Sequence, residues 1–229
     1  MKRLIGAARW CGLFLIVIPL AMQSGCRNKA ERQDDAAAAL STDVERGTLR
    51  LPATVRASQY DDRPVPHHHV VVWKGGGSSG NALFVCDAGD RQVLEALERL
   101  GAVPGDNLTA DSWYKRKQPE ATDPDLIAEG TPIDAFVTWE GLEEPLPISD
   151  IFKSGEVRLR FAGNAALIPE FESGCVICLQ SCPGGKVANA AYTMRDYAQG
   201  RGRLELREGL LPPNGARVTI ILKPDLNER

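Results

Sequence analysis

Residues 70–86 read VVVWKGGGSSGNALFVC. Two short apolar runs, 70–73 and 82–86, flank a connection of glycine, serine and asparagine. The pattern predicts two strands paired as a hairpin across a long loop. Working outward, Asp90 precedes Leu94, Leu97 and Leu100, spaced as on one face of a helix. Asp90 can cap that helix, and Gly101 supplies a left-handed stop before Pro104 and Gly105. Upstream, Leu49, Leu51 and Val55 alternate around Pro52, which predicts an edge strand, because proline cannot donate to a ladder on both sides. Downstream, Ile133, Ala135, Val137 and Trp139 alternate with polar residues, as do Val157, Leu159 and Phe161, and Leu204 and Leu206. Residues 218–222 form a last apolar run before Pro224. Six or so short strands and one clear helix, with no βαβ rhythm, predict a single compact α+β domain, mainly antiparallel β, over residues 47–229.

The chain has 229 residues, 43% hydrophobic and 25% charged, which suits one globular domain with a sizeable core. Its formal net charge of −3 offers no general positive field, so nucleic acid is excluded as a partner.

The N-terminus has a different character. Lys2, Arg3 and Arg9 form a positive start, residues 10–22 are apolar, and Ser24 and Gly25 stand immediately before Cys26. The apolar run falls short of the ~20 residues needed to span a bilayer as a helix. Residues 1–25 therefore read as an export signal. Small residues ahead of a cysteine resemble the lipobox of bacterial lipoproteins, in which the cysteine is diacylated and becomes the mature N-terminus; Gln23 stands where that pattern usually has leucine. Cys26 is the expected lipidation site, and ordinary signal cleavage that leaves Cys26 a spare thiol is the alternative. Residues 26–46, charged and alanine-rich, read as the lipidated N-terminus and a polar tether. These features predict an extracytoplasmic protein, in the periplasm or cell envelope, whose partner is the membrane through a lipid anchor.

With Cys11 in the signal and Cys26 lipidated, Cys86, Cys175, Cys178 and Cys182 remain. An even number in an exported domain makes disulfides the default. Three lie in one run, GCVICLQSCPGGK at 174–186, and a disulfide across so short a loop removes little entropy from the unfolded chain. The spacing C-x2-C-x3-C-P equals the last three cysteines and proline of the bacterial ferredoxin run, but the first cysteine of that run would fall at Glu172. A four-thiolate iron–sulfur cluster then requires Cys86. Export weighs against such a cluster, because a general secretory signal passes an unfolded chain and no twin arginine is present. A thiol–disulfide site, or a zinc site completed by Cys86 or a histidine, are the other readings.

All three histidines are consecutive, His67 to His69, just ahead of the first strand of the pair. On an extended chain His67 and His69 share a face and offer two imidazoles to one metal, against the simpler reading of a solvated start to a strand. The string at 76–80 matches the G-x-S-x-G of hydrolase elbows, but a strand follows it where a helix is required. Gly184-Gly185-Lys186 lacks the earlier glycine and the following hydroxyl of a phosphate loop. No catalytic motif is present, so redox activity would make this an electron carrier or thiol–disulfide protein and not a hydrolase.

The phrase ALERLGAVPG at 96–105 after a histidine-bearing strand, and the cysteine run continued by GGKVANAAY, resemble the YdjY-domain proteins over most of residues 47–223. The resemblance implies an extracytoplasmic, ferredoxin-like protein and nominates Cys175, Cys178 and Cys182. The sequence thus predicts a lipid-anchored protein with a clustered-cysteine site for electron transfer or for an iron–sulfur cluster or another metal, with a redox or protein partner it does not identify. The alternative is a non-catalytic binding or interaction lipoprotein with structural disulfides.

Overall fold

The computed structural model describes residues 40–61, 68–118 and 125–228. In chain order its elements are β1 (Ser41–Asp43), β2 (Thr48–Val55), α1 (Ala57–Asp61), β3 (His69–Trp73), β4 (Phe84–Cys86), α2 (Asp90–Arg99), α3 (Ala110–Tyr114), β5 (Ile133–Thr138), β6 (Leu146–Pro147), β7 (Leu159–Phe161), α4 (Ile168–Phe171), β8 (Cys175–Cys178), β9 (Val187–Asn189), α5 (Met194–Ala198) and β10 (Arg217–Pro224). The strands form one mixed sheet in the order β6-β5-β10-β2-β4-β3-β8-β9-β7, with β1 also on β2. The sheet curls, and a bridge between Pro132 and Arg160 brings β7 back to the start of β5. The helices are short and few. The fold is therefore mostly β, a curled half-barrel, and the expected α+β class is corrected. Among the described residues no helix is long and apolar enough to cross a membrane.

Two strand readings change with it. β2 is not an edge: β10 pairs along one side, and β1 and β4 share the other. β1 ends its register at Arg50 and β4 starts at Ala53, so Pro52 falls in the gap between them. Its carbonyl accepts from Asp87 N at 3.2 Å, and its missing N–H would face that same side, where the ladder is interrupted. β1 itself lies within the segment whose composition reads as tether. The strands β3 and β4 do pair, but in parallel, with Val71 opposite Phe84 and Trp73 opposite Cys86. The connection is too tightly held for a free hairpin loop. Gly77 N and Ser78 N donate to the carbonyls of Glu172 and Ser173, and Trp73 N donates to Gly174 O at 2.8 Å. A Cβ on Gly76 would lie 2.4 Å from Ser173 O, so only glycine permits this contact. The loop thereby fixes the residues that lead into β8.

Alternation along the strands divides the interior into a larger core and smaller clusters, one of them formed by Leu108, Ala128, Ala162 and Ala188. The larger core gathers Leu49, Leu51, Phe84, Phe161, Ile177 and Ile220 with Val93, Leu94 and Leu97 from α2. Each such side chain contributes about 1.5–3 kcal/mol through burial. α2 begins one residue earlier than a cap at Asp90 implies. Gly89 is the N-cap, its N–H donating to Gln92 Oε1 at 2.8 Å, and Asp90 is the first helical residue. Gly101, at φ +89°, ends it. A second, smaller cluster on the other side of β3 and β8 contains Val72, Ala82, Cys175, Cys178, Cys182 and Met194.

Candidate metal centre

In a regular strand, residues three apart point to opposite faces, yet Cys175 and Cys178 share one. The pairing of β3 with β8 explains this. Its register runs His69↔Cys178, Val71↔Ile177 and Val72↔Cys175, with an irregularity at each step. The last step advances one residue on β3 and two on β8, and the extra residue restores Cys175 to the face of Cys178. The first step does the converse, carrying His69 to the same face. Bulges re-aim side chains in this way and gather at functional sites. His68 stands just ahead of β3, where the pleat no longer dictates direction, and its carbonyl accepts from Leu179 N at 2.8 Å.

The result is a buried group of three thiols and two imidazoles. One ligand atom each from His68, Cys178 and Cys182 lies within 4.8 Å of the others. Cys175 lies in the same buried cluster as Cys178, Cys182 and Met194, with its Sγ 3.5 Å from Ile177 O. His69 Nδ1 is 3.3 Å from Cys175 Sγ. The two imidazole centroids are 3.9 Å apart, and Tyr197 of α5 meets the His68 ring edge-on at 4.6 Å. Trp113 of α3 lies 6.1 Å from His68, with the Arg116 guanidinium over its indole at 3.7 Å. Cys175 and Cys178 are wholly inaccessible, and Cys182 and His68 are each 5% exposed.

Burial governs the protonation of this group. It raises the Cys178 thiol well above its ordinary value, helped by the hydrogen bond to Cys175. The Cys182 thiol is raised first by its bond to Cys178 and then by burial. Burial also lowers His69, against a pull from Cys182 in the other direction. At neutral pH Cys178 and Cys182 are thus neutral thiols beside a neutral His69, which is the state a metal meets before it displaces their protons.

Lys186, dismissed with the phosphate-loop pattern, is fully buried beside the group. Its Nζ is 3.5 Å from Asn164 O, burial lowers its pKa, and Asp90, Cys175, Cys182 and Asp106 act on it electrostatically. The hydrophobic stretch around it conceals this role in the sequence. His68 was equally hidden, because period-two reasoning pairs His67 with His69. His67 and Cys26 lie outside the described residues.

Cys86 is placed elsewhere. It lies in the larger core on the opposite side of the sheet, its Sγ donating to Ala88 O at 3.3 Å, and burial pushes its thiol up to about 12. All four described cysteines are free thiols.

An iron–sulfur cluster of the kind the cysteine spacing suggests needs four thiolates, each on its own iron. Three thiols share one buried cluster here, two of them within 4.8 Å of each other, while the fourth is in another core, so the residues present do not fit that group. A single tetrahedral ion at Zn–S ≈ 2.3 Å and Zn–N ≈ 2.0–2.1 Å holds its donors about 3.5–3.8 Å apart, which suits donors this close. A groove of about 750 Å³, lined by Val103, Ile127, Leu226, Arg158 and Arg160 among others, has no cysteine in its lining.

The YdjY domain profile matches residues 40–223. The chain is 27% identical over 225 residues to the uncharacterized protein YdjY of Escherichia coli (strain K12), covering 91% of this chain and 92% of that protein. No solved structure matches.

Proposed function

The chain belongs to the YdjY domain family, and from that premise we propose that it is a cell-envelope protein, anchored by lipid at Cys26, that binds metal through its buried thiols and imidazoles. The observation that carries the reading is the convergence of His68, Cys178 and Cys182 from two distant segments upon one point. Buried polar groups of this kind are retained where they serve chemistry or are satisfied by a bound group. The lipid anchor rests on the positive start, the apolar run and the small residues before Cys26. It would hold the domain at a membrane surface outside the cytoplasm.

The test is metal and acid-labile sulfide analysis of the mature chain purified from its own membranes, with mass analysis of its N-terminal peptide. A stoichiometric metal and a diacylated Cys26 are expected. A reduced chain that binds no metal, or an N-terminus that carries no lipid, overturns the corresponding half of the proposal.

A further inference from the structure

We infer that the cluster is a closed site for one zinc-class divalent ion, held by His68, Cys175, Cys178 and Cys182, with His69 fixing Cys175 from outside the coordination shell. The inference rests on the metal-binding reading above and deepens it by assigning the number of ions, the ligands and the class of metal.

Three corners of the tetrahedron are already assembled in His68, Cys178 and Cys182. Cys175 is the next donor in line, buried in the same cluster as Cys178 and Cys182. The pairing of β3 with β8 is bulged between Ile177 and Cys175, so this third thiol reaches the same side of the sheet as Cys178. His69 Nδ1 lies 3.3 Å from the Cys175 sulfur. Outer partners of this kind orient first-shell ligands and tune their basicity.

The donor types select the ion. Thiolates and an imidazole are soft or borderline ligands, and the converged set contains no carboxylate. Magnesium, calcium and manganese, which take oxygen donors, are disfavoured. Burial selects the kind of site. With each of the four donors at most 5% exposed, no position is left open to water, as in structural Cys3His zinc sites and unlike catalytic ones.

Charge selects between the thiophilic ions. Three thiolates around a divalent ion leave one negative charge, and around copper(I) they leave two. Lys186 is the one fully buried lysine or arginine among the described residues, and Asp90, Cys175, Cys182 and Asp106 all act on it electrostatically. One buried cation matches the divalent case. On binding, three S–H bonds lose their protons to solvent as three metal–sulfur bonds and one metal–nitrogen bond form, and no electrons move.

The experiment uses the reduced, chelator-stripped mature chain, titrated with Zn²⁺ against a chromophoric chelator, and with Co²⁺ as a spectroscopic substitute. One ion per chain is expected, with the intense absorption of tetrahedral cobalt and a charge-transfer band scaled to three cobalt–sulfur bonds. Cys175→Ser, Cys178→Ser, Cys182→Ser and His68→Gln should each weaken zinc at least tenfold, and Cys86→Ser should leave it unchanged. Far-UV circular dichroism establishes which variants are folded, and the cobalt spectrum of the unaltered chain needs no variant at all. Iron with acid-labile sulfide, two ions per chain, copper(I) retained against excess zinc, or a cobalt band for two thiolates would each overturn this assignment while leaving the metal-binding reading intact. A reduced chain that binds none of these ions sinks both.

Discussion

His69 Nδ1 and Cys175 Sγ lie 3.3 Å apart although 106 residues separate them in the chain. This contact ties the strand that carries the imidazoles to the strand that carries the first thiol of the cluster. Removing the nitrogen while keeping a flat ring should loosen Cys175 without emptying the site. His69→Phe is expected to weaken zinc about 10- to 100-fold, the range seen when an outer partner of a ligand is lost. Competition titration measures the affinity, and urea unfolding of the metal-free variant should show a change within about 1 kcal/mol. An unchanged affinity would remove His69 from the site.

Cys86 offers the contrasting case. Its thiol is pushed up to about 12 by burial first and then by Asp87, and it lies in the larger core. It should therefore resist alkylation in the folded chain at pH 8 and react only after denaturation. Cys86→Ala should cost about 1 kcal/mol of stability through lost packing and leave the metal content unaltered. Rapid labelling of Cys86 in the native protein, read by peptide mass, would show that its surroundings are open.

These two residues show how far the sequence carries. The clustering of Cys175, Cys178 and Cys182 was legible because a disulfide across so short a loop has little structural use. The role of Cys86 was not, because position within a strand does not reveal which of two cores a side chain enters when both faces are buried. Alternation located β5 and β10, and the leucine spacing located α2. The parallel pairing of β3 with β4 escaped because the glycine-rich connection also suits a hairpin. What forbids the hairpin is the contact of that connection with Glu172 and Ser173, nearly a hundred residues away. His68 was missed because it precedes β3, where the pleat no longer dictates direction and a period of two does not apply. Pro52 misled in the opposite sense, because the interruption between β1 and β4 lets a proline sit inside the sheet.

The same connection supplies a prediction about stability. Gly76 and Gly174 are packed backbone to backbone, and a Cβ on Gly76 would meet Ser173 O at 2.4 Å and Gly174 Cα at 2.5 Å. Neither neighbour is a flexible side-chain end, so the strand must move. Gly76→Ala should destabilise the domain by about 1–3 kcal/mol, as overpacking does, and should weaken metal binding by displacing Cys175. Thermal unfolding and zinc titration of the variant test both, and a variant as stable as the parent would show that the loop yields without strain.

Helix α5, which presents Met194 and Tyr197 to the thiols, should open in acid. Thr193 Oγ1 accepts from Asp196 N, and the Asp196 carboxylate accepts from Thr193 N and from Arg201. Burial raises Asp196, but these hydrogen bonds outweigh it and hold the carboxyl below its ordinary value of 3.8. A lowered folded pKa means that the unfolded chain binds more protons in this range, so the contribution is complete above the unfolded value and is lost as pH falls through the folded one. Amide exchange in residues 194–198 should accelerate below about pH 4, and Asp196→Asn should abolish that acid dependence. Exchange that stays flat to pH 2 would exclude the capping contact as its source.

Lys186 sets stability of the empty protein against affinity for the ion. Its ammonium is fully buried with a 3.5 Å contact to Asn164 O, and burial lowers its pKa despite the opposing pull of Asp90, Cys175, Cys182 and Asp106. The unfolded chain therefore binds more protons at this position, and the metal-free protein should gain stability as pH rises towards the ordinary lysine value of 10.5. Lys186→Met keeps the length and apolar stem while removing the charge. Replacing an imperfectly paired buried charge by a hydrophobic group of similar volume is often neutral or stabilising, so the metal-free variant should be at least as stable as the parent, with a flatter rise in alkali. The metal-bound form should respond in the opposite sense, because three thiolates on a divalent ion lose their nearest buried counter-charge. Zinc affinity should fall at least tenfold in Lys186→Met, and Lys186→Arg should fare poorly in a pocket shaped for a slender chain. Unfolding curves of the empty and loaded variant separate the two effects: a loss of stability in the empty form alone would make Lys186 a structural residue with no part in holding the ion.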